Sequence, residues 1–279
     1  FGIYPLAQAA NPPRQRFVNL SGKQFNTIHA NNFMFFEEMN AVIQYEPADA
    51  FDPELVGLFA SIGIKKGQPF NPDARMRKIL TEAVAVGNAT ARALTFAPRK
   101  QSVFFYPDRK WYSPFSGGSH EFLDNGERVL DDRIFFHYLA TGITPAMAAP
   151  QVGTGSVYGF TAQDAGGDYL DGGKTYSVTL PGPVPVNNFW SFMVYSGQHR
   201  SMLETDQKLA GLDSSNPSVK PNADGSFTMW FGPKAPAGRE GNWIQTMPGK
   251  SYNVLLRLYG PLQPWFDKTW KPGDLELVE

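Results

Sequence analysis

The sequence predicts an α+β, mostly β protein in which a helical bundle segment precedes an antiparallel β-sandwich of the jelly-roll type. Apolar residues recur at helical spacing over residues 21–100, whereas short aromatic and β-branched runs separated by turn residues follow over residues 101–279. The composition agrees, because 27 glycines, 23 prolines and 14% aromatic residues are typical of a turn-rich β protein. We therefore divide the chain of 279 residues into a helical domain and a sandwich domain with one inserted helix.

Residues 1–20 are predicted to be the end of a preceding β domain or a linker. The chain opens on FGIYPL, and an apolar start without methionine is more typical of an internal position than of a polar, mobile terminus. We therefore expect a processed chain or the later part of a longer protein. An N-terminal β domain or fragment of the same protein is then a predicted partner.

Three helices are predicted in the helical domain. The first covers residues 21–46, where apolar residues recur every three or four positions until Pro47. The second covers residues 52–63, with an acidic N-cap, proline at the first helical position and glycine at the end. The third covers residues 71–98, repeats this arrangement with Asn71 as the cap before Pro72 and Asp73, and carries a stripe of small residues that favours close helix packing.

The sandwich domain is predicted from six short runs that turn residues separate. A helix over residues 127–141 interrupts them, with apolar residues on one side and glycine after it. In the C-terminal tail, Trp265, Phe266 and Trp270 lie around Asp267 and Lys268 and are interpreted as an aromatic clasp that packs the C-terminus onto the body. The predicted strands cover residues 102–106, 157–162, 175–180, 189–195, 226–231 and 252–259.

The composition and the missing motifs exclude several classes of function. Without cysteine the chain forms no disulfide and offers no thiolate to a metal or substrate. The 25 Lys and Arg residues balance 26 Asp and Glu residues, so no nucleic-acid partner is predicted, and no apolar run approaches the ~20 residues of a membrane span. Phosphate-binding, dinucleotide-binding, zinc-protease and serine-nucleophile motifs are missing, so we predict no cofactor and no metal. Asp164, Asp168 and Asp171 lie among glycines, which favours a turn over a calcium site.

His29 is the first candidate catalytic residue. On the predicted first helix it shares a face with Asn32 or Phe33 and with Phe36, and there it would act as a general base or a ligand facing a cleft. The alternative is a histidine between domains that hydrogen-bonds to the backbone.

Tyr195 and Arg200 lie at the end of a predicted strand and form a second candidate. An arginine at a strand end, with a tyrosine nearby, can clamp a carboxylate or another polar group of a substrate. Equally, Arg200 can form an ion pair with Glu204 or Asp206 that only holds the loop.

The last predicted strand indicates a pocket. Period-two alternation places aliphatic side chains on one face and Arg257 and Tyr259 on the other. If Tyr195 shares that concavity, Trp243 and Asn242 from the preceding loop lie at its rim.

Aromatic platforms combined with an arginine suit a sugar, an aromatic or an acidic small molecule, and Trp190 is the further predicted ligand-binding residue. The alternative is that Arg257 has a structural role and pairs with Asp132, Glu127 or another acid.

Several stretches of the chain together resemble a known family. They are IYPLAQAANPP, FNTIHANNFMFFEEMN, DPELVGLFASIGI, FNPDARMRKIL, YLDGGKTYSVTLP, NFWSFMVYSGQHRSML and GNWIQTMPGKSYNVLLRLYGPLQPWFDKTW. The resemblance is to bacterial proteins that pair domain of unknown function 1254 with domain of unknown function 1214, and this chain looks like the later part of such a protein. It implies a β-sandwich, a helical insertion and a C-terminal jelly roll in a periplasmic or secreted protein, and it implies no reaction.

Two hypotheses of function follow. The first is an exported enzyme, a hydrolase or lyase, that acts on a polar small molecule or glycan. In it Arg200 and Arg257 bind charge, Tyr195 or Tyr259 is the acid or nucleophile, and His29 is the base. The second is a non-catalytic ligand-binding or assembly module of the cell envelope. Both predict a small-molecule or glycan ligand, and a homo-oligomer stays open.

Overall fold

The computed structural model describes residues 3–24, 28–113, 115, 117–140 and 142–278. Its helices are mixed with two four-stranded sheets, so the predicted α+β class with a sheet-rich character is confirmed. In this part of the chain, no helix is long and apolar enough to cross a membrane. The α-helices are α1 (Met34–Tyr45), α2 (Pro53–Ser61), α3 (Ala74–Phe96), α4 (Leu130–Leu139), α5 (Pro145–Ala148) and α6 (Gln263–Phe266).

Helix α1 begins later than predicted. The Asn32 side-chain oxygen accepts a hydrogen bond from the Met34 backbone N–H at 2.9 Å, and such local bonds favour helix starts over helix interiors. His29 therefore precedes the helix and does not share a helical face with Phe36, contrary to the prediction. Residues 25–27 of the predicted helix lie outside the described residues.

Helix α2 confirms the predicted cap at Asp52, whereas α3 is capped by Asp73 and not by Asn71 as predicted, because the helix begins only at Ala74. The Asp52 carboxylate accepts from the Glu54 N–H at 2.8 Å, and the Asp73 carboxylate accepts from the Met76 N–H at 2.7 Å. The C-terminal half of α3 packs against α4, where the rings of Phe96 and Tyr138 meet edge to face at 5.7 Å. The predicted helix over residues 127–141 is shorter than expected, because its first residues pair in a hairpin instead.

The strands match most of the predicted runs. The run over residues 102–106 is an exception, because it forms a 3-10 turn at Gln101–Val103 and a single bridge between Phe104 and Tyr112. The strands are β1 (Leu123–Asp124), β2 (Glu127–Arg128), β3 (Ser156–Thr161), β4 (Tyr176–Leu180), β5 (Trp190–Ser196), β6 (Gly211–Asp213), β7 (Phe227–Gly232), β8 (Trp243–Gln245), β9 (Tyr252–Tyr259) and β10 (Glu276–Leu277).

Two sheets enclose the main core. Their strand orders are β3-β9-β5-β6 and β10-β4-β7-β8, and all pairs are antiparallel except β7 with β8. The parallel pair departs from the predicted all-antiparallel sandwich, and it arises because the chain crosses back between Gly232 and Trp243 before pairing again. Side chains from both sheets form one cluster, in which Phe192 of β5 meets Phe231 of β7 at 5.6 Å. The predicted jelly-roll connectivity is not confirmed by these orders.

The outer face of the β3-β9-β5 sheet carries the features that matter for function. Val254, Leu256 and Leu258 of β9 point into the core, so Leu255 and Arg257 point the other way, as the alternation predicts. Helices α4 and α5 and residues 102–105 lie over this outer face. A cavity remains between the sheet and this cover.

A cationic cavity as the candidate functional site

The cavity has a volume of about 660 Å³, which is within the usual range for a small-molecule site. Strands β3, β5 and β9 form its floor, and α4, α5 and the segment before β1 form its walls. Among the described residues, its lining includes three cationic side chains and no carboxylate. The described residues that line it are Ser102, Val103, Phe104, Phe105, Ser113, Phe115, Phe136, Leu139, Ala140, Gly142, Met147, Ala148, Pro150, Val157, Tyr158, Phe160, Tyr195, Arg200, Asn253, Leu255, Arg257, Trp265 and Lys268.

Arg257 lies on the cavity floor and is surrounded by tyrosines. Its Nη2 donates to the Tyr195 hydroxyl and its Nη1 to the Tyr259 hydroxyl, both at 3.4 Å. Its guanidinium carbon lies 5.4 Å from the ring centroid of Tyr158, the directly paired residue on β3. These bonds are long, so the tyrosines position the guanidinium without saturating it.

The charge of Arg257 has no acidic partner. No carboxylate of the described residues lies within 4.0 Å of it, and no protein group accepts a hydrogen bond from its buried Nε. The predicted structural alternative fails for Asp132, whose carboxylate lies 3.9 Å from Lys100 instead. Burial alone would lower the pKa of Arg257, but the hydrogen bond to Tyr259 and the nearby tyrosines hold it above its ordinary value. The side chain therefore stays a cation.

Arg200 is the second cation of the lining. It follows β5 with φ +66°, a left-handed conformation that is uncommon for a residue other than glycine. Its guanidinium carbon lies 4.4 Å from the ring centroid of Tyr138 on α4, and its buried Nε has no protein acceptor. No carboxylate of the described chain comes within 4.0 Å, so the ion pair with Glu204 or Asp206 does not form. Burial lowers the pKa of Arg200, and Tyr138 opposes that shift.

Lys268 is the third cation of the lining, and the sequence reasoning missed it. The tail was interpreted as an aromatic clasp, which it is, since Trp265 and Trp270 belong to the main core. The same clasp also turns Lys268 into the cavity. Its Nζ lies 4.9 Å from the ring centroid of Phe105 and 5.3 Å from that of Trp265.

His29 lies beside this group without lining the cavity. Its ring centroid is 6.2 Å from that of His137 on α4. Partial burial lowers the pKa of His29, the charge of Arg200 lowers it further, and Glu38 opposes the shift. The structure therefore places His29 and Arg200 close together, although His29 is not among the residues that line the cavity.

The other predicted site residues lie elsewhere. Tyr259 stacks on Phe189 with ring centroids 4.1 Å apart and touches the site only through Arg257. Trp190 is 2% exposed and packs in the core between the sheets, 5.1 Å from the Phe227 ring, because alternation turns it inward. This placement does not fit a ligand-binding residue.

Trp243 and Asn242 belong to the opposite sheet and not to the cavity rim. The indole N–H of Trp243 donates to the Gly232 carbonyl at 2.9 Å. The Asn242 amide donates to the carbonyls of Lys220 and Thr228, at 2.8 and 3.0 Å. Both side chains therefore stabilise the edge of the β7-β8 pair.

Two residues of the lining carried a signal that sequence reasoning could have used. Tyr158 lies on the outward face of β3 by the same alternation that exposes Arg257 on β9. Asn253 likewise faces outward on β9, opposite Tyr195.

The acidic segment with Asp164, Asp168 and Asp171 forms turns, since the Asp164 carboxylate accepts from the Asp168 N–H at 3.0 Å. The described residues hold no cluster of three metal-ligating side chains.

The fold and the cavity together define an α+β protein with a cavity outside its sandwich core. Most side chains that line this cavity are apolar, and the charged ones are cationic. Residues 155–263 match the family described as "Protein of unknown function (DUF1214)". The match includes β3 to β9 and supports the later half of the resemblance drawn from the sequence. It contains Tyr195, Arg200 and Arg257 but not Lys268. The pairing with domain of unknown function 1254 is not shown.

Two solved structures are similar to the chain at low identity. The crystal structure of the VPA0106 protein from Vibrio parahaemolyticus matches 98% of this chain and 62% of its own, with 19% identity and a TM-score of 0.44. The crystal structure of an uncharacterized protein from Burkholderia cenocepacia matches 44% of this chain and 30% of its own, with 20% identity and a TM-score of 0.34. This chain thus spans less than two thirds of either protein. No curated protein matches it.

Proposed function

We propose that the protein binds an organic anion with an apolar body in the cavity, as a ligand-binding module. The observation that carries this proposal is the described part of the lining, which has three cationic side chains, no carboxylate, and walls of aromatic and aliphatic groups. Unpaired cations attract and orient an acidic group, and apolar walls favour removal of the rest of the ligand from water. A carboxylate, phosphate or sulfate on an aromatic body has this chemistry.

The polar groups of the cavity are few, which favours an anion over a neutral glycan. Besides the cations, the lining offers hydrogen bonds mainly from Ser102, Ser113, Tyr158, Tyr195 and Asn253. A neutral sugar needs a partner for most of its hydroxyls, because an unpaired buried hydroxyl is costly. The proposal therefore narrows the predicted small-molecule or glycan ligand to an acidic small molecule.

An enzyme remains the second candidate, and Tyr195 is the observation that favours it. Its hydroxyl accepts from Arg257 and lines the cavity, so its own proton is free to be donated to a bound ligand. Hydrolase or lyase chemistry with a tyrosine acid is consistent with this geometry. Two-carboxylate glycoside hydrolysis is not supported, because the lining contains no such pair.

Thermal unfolding with matched ligands tests the binding proposal. Benzoate and phenyl phosphate are compared with benzyl alcohol, which has the same ring and no charge. A ligand at 100 times its Kd adds about 2.7 kcal/mol, or a rise of several degrees in Tm for a chain of this size. We expect a rise with the anions only, and loss of that rise in Arg257→Met.

Arg239→Gln is the matched control, since Arg239 lies over Trp230 at 5.9 Å on the other sheet. The control should keep the wild-type response to both anions. An equal response to benzyl alcohol, or an anion response that survives Arg257→Met, would contradict the proposal. Product formation from the anions would move the assignment to the enzyme candidate.

The periplasmic or secreted location stays a prediction, and cell fractionation checks it.

A further inference from the structure

Lys268 differs from the two arginines of the cavity because it ends in a primary amine. Its backbone has φ +65°, which turns the side chain back over the aromatic residues of the tail. Its Nζ lies 4.9, 5.3 and 5.4 Å from the ring centroids of Phe105, Trp265 and Tyr106. Trp265 and Tyr106 are themselves buried, so the three rings form a fixed wall around the amine.

No acid holds this amine in its charged form. The adjacent Asp267 turns away and accepts hydrogen bonds from Thr269, from the hydroxyl at 2.7 Å and from the backbone N–H at 3.1 Å. No carboxylate of the described residues lies within 4.0 Å of Lys268. Loss of hydration lowers the pKa of Lys268, so its neutral, nucleophilic form is more accessible than that of a solvated lysine.

Lys271 is the matched counterexample. It comes from the same tail and lies near the same Tyr106 ring, at 5.8 Å. Its Nζ is 3.1 Å from the Asp108 carboxylate and it does not line the cavity. Lys271 therefore has a carboxylate partner and lies outside the cavity, which makes it the comparison for Lys268.

We propose that Lys268 forms an imine with an aldehyde or ketone group of the ligand in the cavity. The inference deepens the proposed function, because it adds a carbonyl group to the class of organic anion bound. The ammonium loses a proton to solvent, and the nitrogen lone pair attacks the carbonyl carbon to give a carbinolamine. The carbinolamine hydroxyl then takes a proton from solvent and leaves as water, which gives a protonated imine. One neutral amine, one carbonyl and one proton thus yield one iminium and one water, and overall the ammonium and the carbonyl yield the iminium and water.

The aromatic wall around Lys268 is compatible with both the reactant and the product of this reaction. The resting ammonium and the iminium carry the same single positive charge, and cation–π contacts favour either one. The apolar surroundings also limit access of the water that would hydrolyse the imine. Arg257 and Arg200, with no acid beside them, remain available for the anionic group of the same ligand.

The test traps the imine by reduction. The protein is incubated at neutral pH with 4-formylbenzoate and sodium cyanoborohydride, and the modified lysines are located by peptide mass spectrometry. We expect Lys268 to be labelled several-fold faster than Lys271 and the other lysines, and added benzoate to slow that labelling. Lys268→Arg should lose the fast label, and Lys271→Arg should keep it.

Other outcomes separate the two proposals. Labelling of Lys268 no faster than that of surface lysines would overturn the imine, and a benzoate-induced rise in Tm in the same sample would leave anion binding intact. Fast labelling by benzaldehyde without any effect of benzoate would support the imine and contradict anion binding. Circular dichroism of Lys268→Arg and Lys268→Met shows whether either variant fails to fold, and the wild-type labelling pattern decides the proposal even then.

Discussion

Arg257→Met should leave the protein as stable as the wild type, although it removes a large side chain from the middle of a strand. Within the described part of the chain, Arg257 has no acidic partner and its buried Nε has no acceptor. On the proposed function this charge binds the ligand, so we expect its removal to cost binding and little stability. Methionine keeps most of the length and the apolar stem.

The expected magnitude follows from the contacts. The variant loses two hydrogen bonds at 3.4 Å, about 1 kcal/mol together, and a cation–π contact at 5.4 Å of about 0.5 kcal/mol. The variant also no longer buries a guanidinium whose hydrogen bonds are incomplete. Removing that cost should raise the free energy of unfolding by about 1–3 kcal/mol. The free energy of unfolding should therefore lie between about 0.5 kcal/mol below and about 1.5 kcal/mol above the wild-type value.

Arg109→Met is the comparison, because Arg109 is a structural arginine. Its Nε donates to the Pro272 carbonyl at 3.2 Å and its Nη1 to the Asp108 carbonyl at 2.8 Å, which ties the tail to the body. Loss of hydrogen bonds from a charged donor should lower the free energy of unfolding by about 2 kcal/mol. At about 2–4 °C per kcal/mol, the two variants should differ in Tm by several degrees.

Urea unfolding followed by circular dichroism measures both variants in the same buffer. The reasoning would be refuted if Arg257→Met were destabilised as much as Arg109→Met. That result would mean that Arg257 holds β9 to its neighbours, and the cavity would lose its main argument for ligand binding.

The remaining predictions concern pH, the core and a helix cap. The pKa of His137 is lowered, first by partial loss of hydration and then by Arg200 and His29, and that of His29 is lowered too. Near and below the ordinary histidine pKa of about 6.5, the unfolded chain therefore binds more protons than the folded protein. Protonation then favours unfolding, so Tm should fall as pH drops from 7.5 to 5.5. His137→Gln should flatten that slope, and an unchanged slope would contradict the assignment. Trp190→Ala should lower the free energy of unfolding by about 3–5 kcal/mol in urea, as expected for the buried core; a loss below about 1 kcal/mol would show that Trp190 is not packed there. Asn32→Ala should lower it by about 1 kcal/mol through loss of its bond to Met34, whereas Asn19→Ala, whose bond lies outside any helix, should change little.

Much of the local structure was predictable from short-range patterns. The cap at Asp52 acts over two residues, so the sequence shows it directly, whereas the same pattern placed the cap of α3 two residues too early, at Asn71 instead of Asp73. Strand alternation is equally local, and it correctly turned Arg257 and Tyr195 away from the core. It also implies that Trp190 points inward, which the prediction of a ligand-binding role overlooked.

Local patterns in the sequence were thus sufficient for the α+β class, for most helix and strand positions, and for the direction in which Arg257 and Tyr195 point. Which polar faces meet depends on the tertiary fold. Arg200, Arg257 and Lys268 converge on one cavity because β5 pairs with β9 and the tail folds back across the sheet. Those pairings join residues far apart in the chain, and their free energy comes from burial and packing, which no local periodicity encodes.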